Sequence, residues 1–294
     1  MNHTPVLLNE VIQYLDPQPN QNFIDCTFGF GGHTETILEK IKPNGKVLGI
    51  EWDEEKIKNQ ESRIKNQDRF KVVNDSYANL KEIVERENFK PIHGILLDIG
   101  ISSWEVDNSG RGFSFQKDEP LDMRFSQSQD LTAKKIVNEW PEQDLASIFQ
   151  EYGQERFASN VASNICEVRQ RHSIETTFQL IEIIRKSFPR SYKFPKAHFA
   201  TRIFQALRIA VNSELDNLRK VLPQAIEILE KDGRVGVISF HSLEDAIVKR
   251  FFKEQQKNNK IQILTKKPIM PTLDEIKRNP RSRSAKLRVA QLNN

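Results

Sequence analysis

Cysteine is nearly absent from this chain. Its 294 residues include Cys26 and Cys166 and no others, too few and too widely spaced for a disulfide framework or a zinc knuckle. A stapled secreted scaffold is thereby excluded, and a reducing compartment is favoured. No apolar run approaches the roughly 18 residues that a membrane span needs. The start, Met1-Asn2-His3-Thr4-Pro5, lacks the basic residues and apolar stretch of a secretory leader. A cytoplasmic location is therefore expected. The six histidines form no cluster at metal-ligand spacing, so no catalytic metal is expected either. Internal repeats and low-complexity tracts are missing as well.

What is present is enough for two domains. Hydrophobic residues make up 37% of the chain, and a mean hydropathy of −0.59 demands a strongly polar surface. The net charge of +4 is unevenly spread. Between Lys266 and Arg288 eight basic residues face two acids, a local excess of +6 that leaves −2 for the remainder. A basic segment on a balanced body suits a polyanionic partner, and a solvated tail explains the same charge equally well.

Short apolar runs alternate with helical stretches through the first hundred residues, the pattern of a parallel sheet with crossover helices. Strands are predicted at 23–26, 45–51, 70–73 and 93–98, with helices between them. From about Trp104 to Ala210 the periodicity is helical, with segments at 136–149, 157–169, 178–188 and 198–211. Alternation then resumes with a helix over 214–229, a strand over 234–239, a helix after His241 and a short strand near 261–264. The expected fold is α/β: a discontinuous domain over 1–104 and 212–294, interrupted by a helical insert over 105–211. The stretch from Pro268 to Pro280 reads as a flexible link or a loop ordered on binding.

In an open α/β sheet ligands bind beyond the carboxyl ends of the strands. Gly29-Phe30-Gly31-Gly32 leaves the first strand at that place, where glycines permit positive φ and close backbone approach. The spacing departs from the dinucleotide pattern G-x-G-x-x-G, which disfavours a nicotinamide dehydrogenase. Glu51 ends the second strand, placed either to accept ribose hydroxyls or to cap the next helix. Asp98 ends the fourth and faces the same crevice. Asp25 either orients a ligand or holds the glycine turn through a structural hydrogen bond.

The segments His3-Thr4-Pro5-Val6-Leu7-Leu8, Thr27-Phe28-Gly29-Phe30-Gly31-Gly32-His33 and Gly94-Ile95-Leu96-Leu97-Asp98-Ile99-Gly100 resemble the bacterial ribosomal small-subunit RNA methyltransferase H family. So do Arg111-Gly112-Phe113-Ser114-Phe115, Pro120-Leu121-Asp122-Met123-Arg124, the run from Ala200 to Arg208, and Val211-Asn212-Ser213-Glu214-Leu215. Ser239-Phe240-His241-Ser242-Leu243-Glu244-Asp245 and Asn279-Pro280-Arg281-Ser282-Arg283-Ser284 complete an ordered set that spans nearly the whole chain. The resemblance implies a class I methyltransferase, Rossmann-like sheet with an inserted helical domain, S-adenosyl-L-methionine as methyl donor, and N4 of a cytidine in the decoding region of 16S rRNA as acceptor. The partner it implies is 16S rRNA within the small ribosomal subunit; a homodimer is left open.

Matched motif by motif, the cofactor residues are Gly31, Gly32, His33, Glu51, Tyr77, Asp98 and Glu105. Glu51 and Tyr77 are conservative departures from the family pattern, and Trp104-Glu105 stands where Pro-Gln is usual. For the chemistry, Asp98, Ser102 and Ser103 are candidates to accept hydrogen bonds from the exocyclic amine. His241 suits either a proton shuttle or a helix cap. Arg111, Arg124, Lys193, Lys196, Arg202 and Arg208 are candidate phosphate contacts, with Trp104, Phe113 and Phe115 as candidate stacking partners for a base. Phe149, Phe199 and Phe204, at helical spacing, are assigned to the core. A non-catalytic RNA-binding assembly factor and a methyltransferase with another substrate are the competing readings.

Overall fold

The structure, a computed structural model, describes residues 5–60, 68–189, 191–192 and 198–293. Its elements are α1 (Leu8–Leu15), β1 (Phe23–Asp25), α2 (Gly32–Lys40), β2 (Val47–Glu51), α3 (Glu54–Gln60), β3 (Phe70–Asn74), α4 (Leu80–Arg86) and β4 (Gly94–Asp98). A helical run follows: α5 (Ser103–Asp107), α6 (Ala133–Glu139), α7 (Glu142–Glu151), α8 (Ala158–Arg169), α9 (Thr177–Lys186) and α10 (Thr201–Asn212). The chain ends with α11 (Glu214–Ile228), β5 (Arg234–Ser239), α12 (Ser242–Lys257), β6 (Ile261–Ile263), α13 (Leu273–Arg278) and β7 (Lys286–Leu292).

Two compact units result, one of residues Met1–Gly100 with Leu215–Asn294 and one of Ile101–Glu214. In the first, a seven-stranded sheet has the order β3-β2-β1-β4-β5-β7-β6. Strands β1 to β5 run parallel, whereas β7 pairs antiparallel with both β5 and β6. The central strands are apolar on both faces because helices cover both: β2 is buried at every residue and β4 from Gly94 to Leu97. One cluster joins the sheet to α4, α11 and α12 through Leu80, Ile83, Leu222, Ala225, Val248 and Phe252. Another covers the opposite face with Val11, Leu15, Ile37, Leu38 and Ile41 of the α1 and α2 side.

The second unit is helical and encloses its own core, including Ile136, Phe149, Val161, Ile165, Leu180 and Leu207. The helix predicted over 136–149 is two helices, α6 and α7. Pro141 separates them, and Trp140 ahead of it is extended (ψ 145), as a residue before proline prefers. The stretch read as a flexible link or a loop ordered on binding holds α13 and a backbone bridge in which Ile269 and Leu287 exchange both N–H to C=O bonds at 2.9 Å. Strand β7 has no counterpart among the predicted strands. It threads between β5 and β6, and two of the basic residues counted toward a polyanion-binding tail are part of it: Arg288 and Lys286 both donate to Asp245.

Candidate active site

Strands β1 and β4 lie side by side although the chain reaches them through β2 and β3. That reversal opens a crevice at their carboxyl ends. Three acids stand there because each is the last residue of its strand: Asp25, Glu51 and Asp98. Between β1 and α2 the chain turns through Gly29 (φ 54) and Gly31 (φ 76), both in the left-handed region that glycine adopts without strain. Gly32 has a different reason to be glycine, since a Cβ there would lie 2.4 Å from the Pro5 ring. Its requirement is packing of the N-terminal segment.

Asp25 serves the turn. Its Oδ1 accepts from the Thr27 amide (3.2 Å) and its Oδ2 from the Thr34 hydroxyl (2.7 Å), tying the loop to the first turn of α2. Burial pushes this carboxyl up to about 6, against the pull of the Thr34 and Thr27 bonds. The Thr27 hydroxyl in turn accepts from the Asp98 amide at 2.7 Å, so the glycine turn and the end of β4 are fastened together. Glu51 ties the next strand end to the same turn. Its Oε2 accepts from the Gly29 amide and its Oε1 from the Asp53 amide, both at 2.9 Å, with Lys56 Nζ 3.8 Å from Oε1. The bond to the Asp53 amide places this carboxylate at the start of the next helix, and the bond to Gly29 fastens it to the glycine turn. Tyr77 follows β3, where it packs partly buried against the core.

His33 is 6% exposed, and its Nε2 lies 3.0 Å from the Val6 carbonyl. A carbonyl only accepts, so Nε2 carries the hydrogen and Nδ1 presents a lone pair. Burial lowers this histidine to about 4 despite the Val6 bond, so the ring is neutral near pH 7. The bare Nδ1 faces Asp98 Oδ2 at 3.8 Å. Asp98 Oδ1 is buried and has no hydrogen-bond partner among the described residues. Burial, and then the nearby charges of Asp25 and Glu244, raise the Asp98 carboxyl to about 8. Asp98 and His33 Nδ1 therefore meet without a donor from another described residue, an arrangement that costs free energy unless a proton or a cation arrives.

His241 is the N-cap of α12. Its Nδ1 accepts from the Glu244 amide (3.4 Å), while Glu244 Oε2 accepts from the amides of Phe240 (2.8 Å) and His241 (3.1 Å). This reciprocal box gives Nδ1 of the histidine a capping role, while Nε2 lies 3.0 Å from Glu244 Oε1. Glu244, 1% exposed and close enough to act on Asp98, is not among the residues singled out from sequence; H-x-x-E ahead of an apolar helix is the available signal.

In the helical unit Ser102 and Glu105 bond to each other. Ser102 caps α5, Glu105 Oε2 accepts from both its amide (3.0 Å) and its hydroxyl, and Ser103 is the first helical residue. S-x-x-E spells that box in the sequence. Three expected phosphate contacts are instead internal. Arg111, 5% exposed, donates to the carbonyls of Arg124 and Phe125 and lies 5.2 Å from the Trp104 ring centre. Arg124 pairs with both oxygens of Asp122 at 2.8 Å, and Arg208 with both of Glu214 at 2.8 and 2.9 Å. Phe113 is core and stacks on Phe125, while Phe115, partly buried, stacks on His198 at 4.5 Å. Arg202 is half exposed and donates to the Gln154 carbonyl. Lys193 and Lys196 lie outside the described residues, as do His3 and Thr4.

A parallel sheet with a glycine turn after β1, acids closing β1, β2 and β4, and an antiparallel β7 inserted next to β5 is the class I methyltransferase arrangement. The family model described as the MraW methylase family matches residues 1–293. Relatives named ribosomal RNA small subunit methyltransferase H include that of Halothermothrix orenii, 44% identical over 99% of this chain and 98% of the relative. That of Pseudothermotoga lettingae is 44% identical over 98% of each chain. A solved putative rRNA-methylase from Clostridium thermocellum covers 99% of this chain and 100% of its own, at 13% identity and a TM-score of 0.47. The chain belongs to the MraW methylase family and is a methyltransferase. No helix among the described residues is long and apolar enough to cross a membrane.

Proposed function

We propose that the chain methylates N4 of a cytidine in the decoding region of 16S rRNA, and that the crevice at the ends of β1, β2 and β4 holds the donor. The observation that carries the donor site is the meeting of Asp98 Oδ1, without a partner among the described residues, with Asp98 Oδ2 and the bare His33 Nδ1. His33 Nδ1 accepts, and so does Asp98 once it has given up its proton, so the pair fits a ligand that brings hydrogens and positive charge; the methionine end of S-adenosylmethionine brings both. Glu51, fastened to the glycine turn, is placed for the ribose hydroxyls, as the acid ending the second strand of such sheets is. Gly31 lets the backbone approach the ligand, and Tyr77 borders it from the end of β3.

When bound, the donor supplies a methyl group on a sulfonium, open to in-line displacement by nitrogen. The residues then have to position, to exclude water and to take up a proton. The cytosine amine is a poor nucleophile because its lone pair is delocalised into the ring, so an acceptor for its N–H is needed as the new bond forms. Asp98, ionised once a cation neutralises its surroundings, is the residue whose chemistry suits that work. For Ser102 and Glu105 the geometry supports the α5 cap; a part for the Ser102 and Ser103 hydroxyls in amine binding rests on what the chemistry needs, and a part for Glu105 in donor binding on the resemblance. The helical unit is the candidate for RNA recognition, and exposed lysines and arginines near 266–283 supply positive surface.

Incubation with a radiolabelled donor and small ribosomal subunits from several stages of maturation tests this reading. Label in N4-methylcytidine after nucleoside digestion is the expected result. Label in another nucleoside would reassign the acceptor, and absence of label from all RNA, despite donor binding, would favour the assembly factor.

A further inference from the structure

Among the described residues, three N-caps whose side chain accepts a hydrogen bond are followed three positions later by Glu. In two of them, Ser102–Glu105 and His241–Glu244, the glutamate turns back to its own N-cap and closes the box. The third, Thr272–Glu275 at the start of α13, closes by half. The Thr272 hydroxyl accepts from the Glu275 amide at 3.2 Å, but Glu275 Oε1 accepts from the amide of Leu7 at 2.8 Å, 268 residues away. Leu7 is fully buried and in the left-handed region (φ 54), so its N–H has few other routes to a partner.

That N–H belongs to the same peptide as the Val6 carbonyl, which accepts from His33 Nε2. A carboxylate, a peptide and an imidazole therefore form one continuous relay: Glu275 pulls on the amide hydrogen while His33 donates to the oxygen. Bonds in such a chain polarise one another and strengthen together. At its far end the relay decides which nitrogen of His33 carries the hydrogen. With Nε2 committed to Val6, Nδ1 keeps its lone pair toward Asp98. The opposite tautomer would turn an N–H toward Asp98 Oδ2, 3.8 Å away, and put a donor where the site now offers an acceptor.

We propose that Glu275 is a positioning residue for the donor site, acting through the Val6–Leu7 peptide to hold His33 in the acceptor tautomer. This rests on the reading of the crevice as the place of S-adenosylmethionine. The role could not be read from the neighbours of Glu275 in sequence, where it looks like an ordinary capping acid in a basic segment.

Calorimetric titration of the full chain with S-adenosylmethionine is the test. Glu275→Ala should weaken binding about tenfold, the worth of one hydrogen bond to a charged group. Glu275→Gln keeps an accepting oxygen and should return to within about threefold of the parent. In a His33→Ala background the Glu275→Ala change should alter affinity by less than about twofold, because residues in one network are not additive. The ring ¹⁵N shifts of His33 should report Nε2 protonation in the parent and a tautomer mixture in Glu275→Ala, a signature that loosening of α13 alone would not produce. An unchanged affinity in Glu275→Ala, or an equal loss with and without His33, overturns the relay. If the parent chain itself fails to bind S-adenosylmethionine, the donor-site reading falls first and takes the proposal with it.

Discussion

Burial, and after it the like charges of Asp25 on β1 and Glu244 on α12, raise the Asp98 carboxyl, and the neutral His33 of α2 offers no compensating cation. The Asp98 value of about 8 in the folded chain lies above the ordinary 3.8, so between those limits the folded state holds a proton that the unfolded state releases. Stability from this group is fully present below about pH 4 and is lost as pH rises through about 8. Asp98→Asn cannot ionise and escapes that loss. We expect its thermal midpoint to exceed the parent's by roughly 5 °C at pH 8, with the gap closing toward pH 5. Scanning calorimetry at both pH values checks this, and a variant less stable at pH 8 would refute it. Donor affinity should move the other way, falling tenfold or more (on the order of a charged hydrogen bond). In the parent the same carboxyl must lose its proton to meet a cation. Donor affinity should therefore climb with pH up to about 8 and level off, with up to about one proton released per donor bound below that point. His33, lowered to about 4, stays neutral across this window and adds no slope of its own, while Asp25, at about 6, contributes at its acid end. A flat profile from pH 6 to 8 would remove Asp98 from contact with the cation.

Elements differ in how openly the sequence announces them. The parallel strands were legible because burial on both faces turns them into continuous apolar runs, as in Ile95-Leu96-Leu97 and Val47-Leu48. The acids at their ends were legible for the same reason, since a charge that stops an apolar run marks the sheet's edge. Strand β7 was hidden because Lys286 and Arg288 make it look basic, and only Asp245, 41 and 43 residues away, explains how those charges sit in a sheet. The relay from Glu275 to His33 was out of reach, since it joins three distant segments through a peptide rather than a side chain. Helix α5 lies between these cases. Its S-x-x-E box was readable, yet the resemblance assigned Glu105 to the donor. Because glutamine also serves at that position of a capping box, Glu105→Gln should leave the thermal midpoint nearly unchanged, whereas Glu105→Ala should cost about 1 kcal/mol. Chemical denaturation resolves the two. If Glu105 acts as a cap only, donor affinity in Glu105→Gln stays within about twofold of the parent, a difference too small for the removal of a hydrogen bond; a tenfold loss would restore its donor role.

At the scale of the whole molecule the question is where the positive charge can meet RNA. The sequence pointed to eight basic residues between Lys266 and Arg288, and the structure divides them. Lys286 and Arg288 face Asp245 within the sheet, which they neutralise and whose carboxyl they hold below the ordinary range. Lys277 lies 3.5 Å from Asp274, an exposed pair worth little in either direction. Lys266, Lys267, Arg278, Arg281 and Arg283 are exposed on the stretch between β6 and β7, beside the exposed side chains of Met270 and Leu273. If this stretch touches phosphates, RNA affinity falls steeply with salt, and removing one phosphate-binding side chain reduces the log–log slope by about 1. Replacing Lys266, Lys267 and Arg283 with alanine should therefore flatten the slope by up to about 3 while leaving the thermal midpoint in place. Replacing Lys286 and Arg288 should do the opposite, keeping the slope and lowering the midpoint, because Asp245 is then left half-buried without its cations. Filter binding of a small-subunit rRNA fragment over a range of salt, with calorimetry of each variant, separates the two sets. A slope unchanged by the first set would show that the positive charge of this segment is a solvated surface and that RNA is held elsewhere.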